Sequence, residues 1–535
     1  MLVFFHGYSP DTWDAMLRTG LVRDGDGIRF QQSIDLPEEL KFNNLAKKGG
    51  RLYEILRERR CPFYIDRLQG GCYIDKYVYD PDLLDEYRRM LGDNFYGFQM
   101  HEWLSNYRSD ANHKLCALTA EEWTGERIEH TIREKFPYKN LFLECMTLEE
   151  ITAAGKPLTP EQFYRNMTAI YKKRQKIGEL IPCDSAFLAY QFEMQCGAKR
   201  LMPEVGASPA DTRIQVCYAR GMTRREGKSF GIYYEPWGSR PFSVCSYFGA
   251  KNEWNIGNAD FPWRPYGPNG GNSRSLQRRI FLYAFLSGAA FISEEWGLYN
   301  TFLEGTDYAL SPYGEVKRDF LHFTEKYADV GDKVTPIAAV LPKELAVLED
   351  WNEPYKIFSY ESKSERLADI KRGVSELFAK AYPMIGSERN SLKNMDMPDV
   401  IDLLNRDDGM LKKYDYLIDL TYGSDLSAHF SNLCEIGDVP ALLRRILPAY
   451  VDGGLHWMLN HRKGGGYYLT VFNHDGVIRT VADGEYTLPE AEKTVSVTLR
   501  DGGTPTLLEG DATLSKDGDV YRLTVPAGSF AFISF

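Results

Sequence analysis

Along the N-terminal part of the chain, short apolar runs alternate with longer stretches whose apolar residues recur every three or four positions. Brief apolar runs rich in β-branched and aromatic residues read as buried strands, and the 3.6-residue spacing reads as amphipathic helix. Strands are predicted at 2–7 (LVFFHG), 62–67, 95–102, 141–145, 200–205, 229–235 and 289–296, with a shorter candidate at 27–32. Helices are predicted over 42–59, 83–91, 120–135, 159–179, 184–197 and 273–287, with others opening at 208–211 and 311–312. Ser9-Pro10, Asp80-Pro81, Thr159-Pro160, Ser208-Pro209 and Ser311-Pro312 each place a capping side chain before a proline. That pairing suits a helix start, because the first helical N–H has no intrahelical partner to lose. Strand–helix alternation of this kind predicts a parallel sheet.

The strand candidates share a chemical feature. In SFGIYYEPWG (229–238), Pro236 cannot donate to a ladder, so the strand should stop at Glu235 beside Trp237. MHEW (100–103), FLECM (142–146), MPEVG (202–206) and ISEEWG (292–297) repeat the design. Parallel strands that each deliver an acid at the C-terminal end describe a (β/α)8 TIM barrel with a carboxylate-lined mouth.

The pattern then changes twice. TPIAAVL (335–341) reads as a strand without a terminal acid, followed by a helix over 364–382 and a strand at 414–420. From 453 onward, short alternating segments separated by glycine turns predict hairpins. The expected layout is a barrel over 1–332, a small flavodoxin-like α/β domain over 333–452 and a β-sandwich over 453–535. Residues 239–272, rich in Gly, Pro and Asn and holding Trp254 and Trp263, lack periodicity and read as a binding loop.

Composition narrows the chemistry. A length of 535 residues calls for several domains, and a net charge of −11 with scattered basic residues gives no footprint for nucleic acid or acidic membranes. No run approaches the roughly 18 apolar residues of a membrane helix, and residues 1–8 lack a signal-peptide pattern, so a cytoplasmic setting is expected. Nine cysteines without a C-x-x-C pair indicate neither a zinc cluster nor a disulfide framework. The 34 tyrosines, 29 phenylalanines and 9 tryptophans suit a large core and also a sugar cleft, where rings stack on pyranose faces.

Glycosidic cleavage needs two carboxyl groups flanking one bond. Glu235, Glu144, Glu295 and Glu204 are the candidates for that work. Glu144 lies in an apolar run that would raise its pKa, as an acid catalyst requires, although a buried ion pair would look the same. Glu294 and Glu295 are adjacent and so point to opposite faces; one can meet the mouth while the other pairs behind it. Asp66, Arg67, His101, Glu102, Glu294, Trp237, Trp254, Trp263 and Trp296 are candidates for contacting substrate. No metal site or cofactor is implied, and the expected partner is an oligosaccharide or glycoside. The glutamates could alternatively hold a divalent cation in a sugar isomerase or epimerase. A third possibility is a non-catalytic carbohydrate binder working through the terminal sandwich.

The order of barrel, α/β segment opening at TPIAAVL and terminal sandwich resembles the family 42 β-galactosidases and related clan A glycoside hydrolases, including trimeric β-mannosidase-like families. The resemblance implies a retaining exo-β-glycosidase, with the acid/base after strand four, the nucleophile after strand seven and a homotrimer built by the middle domain. LFLECM then puts Glu144 at the acid/base position, with Leu143 where the family has Asn. IYYEPWG puts Glu235 at the nucleophile position if AAFISEEWG is strand eight. If 200–205 is strand five, the nucleophile becomes Glu295 or Glu294. Counting 27–32 as a barrel strand moves MHEW, and Glu102, to position four.

Overall fold

The computed structural model describes the chain apart from residues 6, 33–35, 67–76, 102–117, 136–146, 157–164, 166–167, 170, 177, 184–189, 207–211, 225–227, 236–271, 296–300, 304, 344–364, 379–393, 424–425, 481–483 and 501; at His101 and Glu235 the description is of the backbone.

Among the described residues nine short strands open the fold: β1 (Leu2–Phe4), β2 (Ile28–Gln31), β3 (Phe63–Asp66), β4 (Phe95–His101), β5 (Leu180–Cys183), β6 (Arg200–Leu201), β7 (Glu204–Gly206), β8 (Ser229–Glu235) and β9 (Phe291–Glu294). They pair in parallel as β2-β3-β4-β5 and as β1-β9-β8, with β6 and β7 both on the far side of β8. The two sheets meet at both edges. Tyr8 N–H donates to Arg29 O (2.8 Å) and Gly27 N–H to Val3 O (3.0 Å) at one seam. Met202 N–H donates to Pro182 O (2.9 Å) at the other. With β6 and β7 sharing one position, the strands form a closed ring of eight positions. Helices such as Pro10–Thr19, Pro81–Leu91, Thr212–Thr223 and Arg274–Leu286 lie between them and Pro312–Lys326 follows β9, giving the α/β alternation.

The ring order resolves the strand count. β2 is a ring strand, so Phe95–His101 holds position four, β8 position seven and β9 position eight. β5 pairs directly with β4, Phe98 opposite Leu180 and His101 opposite Cys183. Of the two strand counts open from the sequence, the ring order follows the one that includes 27–32; the FLECM segment and Glu144 lie outside the described residues. β5 escapes a pattern search because it is four residues long and contains Pro182. The helix expected over 42–59 is two pieces, Phe42–Leu45 and Arg51–Arg59, separated at Gly49-Gly50.

Inward-facing Phe4, Tyr64, Ile181, Cys183, Met202, Tyr233 and Phe291 fill the ring with side chains, so it is a packed core below its mouth. The outward residues pack on the helices, and one of these clusters runs on without a break into the rest of the chain.

Beyond the ring, β10 (Asp332–Lys333) leads to β11 (Ile337–Leu341), β12 (Ile401–Asn405) and β13 (Tyr416–Asp419), a parallel sheet ordered β12-β11-β13. The C-terminal part is β-rich: β14 (Ala449–Asp452), β15 (His456–His461), β16 (Tyr467–Phe472), β17 (Val477–Thr480), β18 (Gly484–Thr487), β19 (Lys493–Leu499), β20 (Thr506–Glu509), β21 (Thr513–Asp517), β22 (Val520–Val525) and β23 (Phe530–Ser534). Its two larger antiparallel sheets run β10-β15-β16-β23-β20 and β14-β19-β22-β21. Pairing thus carries both Asp332–Lys333 and Ala449–Asp452 into the C-terminal sheets, across the boundaries expected from the sequence pattern.

Candidate functional site

Parallel strands in one ring end at one rim, so residues far apart in sequence become neighbours there. The described strand ends at the rim are Phe4, Gln31, Asp66, His101, Cys183, Gly206, Glu235 and Glu294, with Glu295 following. Register fixes two rows. Glu204 pairs with Tyr233, Tyr233 with Ser293 and Ser293 with Phe4 across four neighbouring strands. One step nearer the rim, Gly206 pairs with Glu235, and Glu295 N–H donates to Tyr234 O (2.8 Å). Positions 235 and 295 therefore stand side by side on adjacent strands, whose backbones lie about 4.8 Å apart.

Beneath that rim lies a buried polar floor. Arg29, from β2, reaches across the interior: its Nη1 donates to Tyr233 Oη (2.9 Å) and lies 3.5 Å from Asp66 Oδ2. Both charged side chains are only 2 % exposed. Burial alone would discharge Arg29, but Tyr233, Tyr64 and Asp66 outweigh it and hold the guanidinium charged. Burial pushes the Tyr233 phenol far up, aided by Asp66 and Glu295 and opposed by Arg29. Glu295 is thus close enough for its charge to be felt at Tyr233. Tyr64 Oη donates to Ser293 Oγ (2.6 Å), which donates to Phe4 O (3.1 Å), tying β3, β9 and β1 together. Asp66 Oδ1 and Arg29 Nε have no hydrogen-bond partner among the described residues.

The adjacent acids of β9 separate as alternation requires. Glu294 faces outward, where its Oε2 lies 2.7 Å from Lys317 Nζ on the helix Pro312–Lys326, both side chains fully buried. Burial pushes Glu294 up and Lys317 down, each opposed by its partner's charge. Glu294 is therefore part of the wall behind the strand, and its candidacy for contacting substrate is corrected.

Of the other sequence candidates, Glu204, Asp66 and Glu295 are buried in the ring, 0–5 % exposed. His101 ends β4, and Glu235 ends β8. Arg67, Glu102, Glu144, Trp237, Trp254, Trp263 and Trp296 lie outside the described residues. Sequence reasoning missed Arg29, Tyr233, Ser293 and Lys317. The signal for Arg29 was present: in IRFQ, Arg29 and Gln31 alternate with Ile28 and Phe30, so one face of a buried strand had to be polar. Among the described residues no group of three or more His, Cys, Asp or Glu side chains is arranged to hold a metal ion. No described helix is long and apolar enough to cross a membrane.

No family model matches the chain, and no curated protein matches it. Its structural neighbours are glycoside hydrolases. The catalytic module of a family 98 glycoside hydrolase from Streptococcus pneumoniae TIGR4, solved with the LewisY pentasaccharide, aligns over 100% of this chain and 98% of its own at 10% identity and a TM-score of 0.42. An α-amylase from H. orenii aligns over 100% of this chain and 99% of its own, at 9% identity and a TM-score of 0.34. A family 30 subfamily 8 xylanase from Clostridium acetobutylicum covers 100% of this chain and 95% of its own, at 9% identity and a TM-score of 0.33.

Proposed function

We propose that this chain is a retaining glycoside hydrolase whose reacting carboxylates are Glu235 and Glu102. The observation that supports the reading best is the ring order. Phe95–His101 holds position four and is followed in sequence by Glu102; Ser229–Glu235 holds position seven and ends in Glu235. These are the two positions that the clan A resemblance makes acid/base and nucleophile. Retaining cleavage needs carboxyl groups about 5–5.5 Å apart.

In the proposed reaction, Glu235 attacks the anomeric carbon while Glu102 protonates the departing glycosidic oxygen. Glu102 then takes a proton from water, which displaces Glu235 and restores both groups. Glu295, next to position 235 on the rim row, adds negative potential where positive charge develops on the sugar. Asp66 Oδ1, buried and without a hydrogen-bond partner among the described residues, suits a sugar hydroxyl at the floor. Trp237, Trp254, Trp263 and Trp296 supply rings for pyranose faces. The substrate class is a β-galactoside or β-mannoside-type oligosaccharide cleaved from its end.

A screen of aryl β-glycosides tests the proposal. Hydrolysis is expected, with the first-released sugar keeping its anomeric configuration by proton NMR. Glu235→Gln and Glu102→Gln should each lower kcat by about a thousandfold with unchanged melting. Full activity in either variant would remove that residue from its role.

A further inference from the structure

Lys317 stands behind the C-terminal end of β9, against the outward-facing Glu294. Its ammonium lies 2.7 Å from Glu294 Oε2, the last residue of β9, and also donates to Thr301 Oγ1. All three side chains are fully buried. Thr301 is held a second time by its backbone, since its carbonyl accepts from Ser311 N–H (2.8 Å) at the start of the helix that carries Lys317. That helix sits unusually close: a Cβ on Gly314 would lie 2.3 Å from Thr301 O, so only glycine permits the docking. The same helix also braces position seven. Tyr313 Oη donates to Asn272 O (2.8 Å), and Asn272 Nδ2 lies 3.4 Å from Tyr234 Oη on β8.

A buried ion pair is a poor way to gain stability, because apolar side chains of similar size usually do as well or better. Its value lies in geometry. Glu294 and Glu295 are adjacent, so fixing Glu294 on the outer face commits Glu295 to the inner one. Fixing Thr301 with the same ammonium ties the returning chain to the same point.

We propose that Lys317 is a positioning residue: by bridging Glu294 and Thr301 behind the ring, it holds Glu295 at the mouth beside position 235. The functional part of this inference rests on the glycoside hydrolase reading; the positional part does not.

Two variants test it. Lys317→Met/Glu294→Leu removes both charges without leaving one stranded, and Thr301→Val cuts only the second arm. Amide exchange at Glu295, whose N–H is bonded to Tyr234 O, reports position, and steady-state kinetics on an aryl glycoside cleaved by the wild type report function. The double variant should melt at or above the wild-type temperature, yet exchange at Glu295 at least tenfold faster. Its kcat should fall at least tenfold with KM within threefold, a split that general destabilisation does not produce. Thr301→Val should move both readouts in the same direction by a smaller factor. Exchange at Glu295 within twofold of wild type in the double variant would overturn the proposal. If the wild type cleaves no glycoside, the hydrolase reading fails by itself, and the exchange experiment still decides whether Lys317 positions Glu295.

Discussion

Arg29 shows how much one buried side chain can organise. It carries a full charge in the ring interior, touching Tyr233 on β8 and Asp66 on β3, so it joins both sheets through a single guanidinium. Removing one partner of such a pair strands the other charge without water. Arg29→Met is therefore expected to cost roughly 3–5 kcal/mol in urea unfolding. Adding Asp66→Asn should recover part of that loss, since the stranded charge goes too. Equal stability of the single variant and the wild type would show that the pair does not hold the floor.

At the scale of elements, the ring was legible where strands were long and apolar. The run 229–235 could be read directly, and so could its terminal acid. β5 and β12 were not: one contains a proline within four residues, and the other, IDLLN, carries Asp402 and Asn405 in a buried strand. Those polar residues make sense only with their partners. Arg220 Nε bonds to Asp402, Tyr218 Oη to Asn405, and both donors lie on the helix Thr212–Thr223. Pairing across elements is not written in local periodicity, and the strand count stayed open in the sequence for the same reason. β2 was too short to be counted with assurance, although its place in the ring gives position four to Phe95–His101.

The contact between that helix and β12 is backbone-close. A Cβ at Gly221 would lie 2.1 Å from Leu403 O, which no rotamer change can relieve. Gly221→Ala should destabilise the protein by about 1–3 kcal/mol even though alanine is the better helix former. Unchanged or raised stability in urea would mean that the helix and β12 are not packed so closely.

On the scale of the whole molecule, ring, middle sheet and C-terminal sheets meet at Asp399. Its carboxylate accepts from Tyr283 Oη and Arg220 Nη2 (3.2 Å) of two ring helices and lies 3.4 Å from His456 Nε2 on β15. His456 Nδ1 lies 2.8 Å from His474 Nε2, and His474 Nδ1 meets Arg279. Burial, together with the nearby Arg213 and Lys333 charges, pushes His456 down to about 4 although Asp399 opposes the shift. An unfolded histidine gains its proton near pH 6.5. Between that pH and about 4 the unfolded chain binds a proton that the folded chain refuses, so stability falls as pH falls through this window. The loss from this residue is roughly 3 kcal/mol. Urea midpoints measured at pH 7 and 4.5 should show it, and His456→Gln should flatten the difference; an equal slope in the variant would rule the residue out as its source.

The proposed function depends on Glu235 being the group that bonds to the sugar. A 2-deoxy-2-fluoro glycoside with a good leaving group, of the sugar type found to be hydrolysed in the aryl-glycoside screen, should trap that bond, and peptide mass spectrometry should find the label on Glu235. A label on Glu295 or Glu204, or rapid turnover with inverted product and no label, would contradict it.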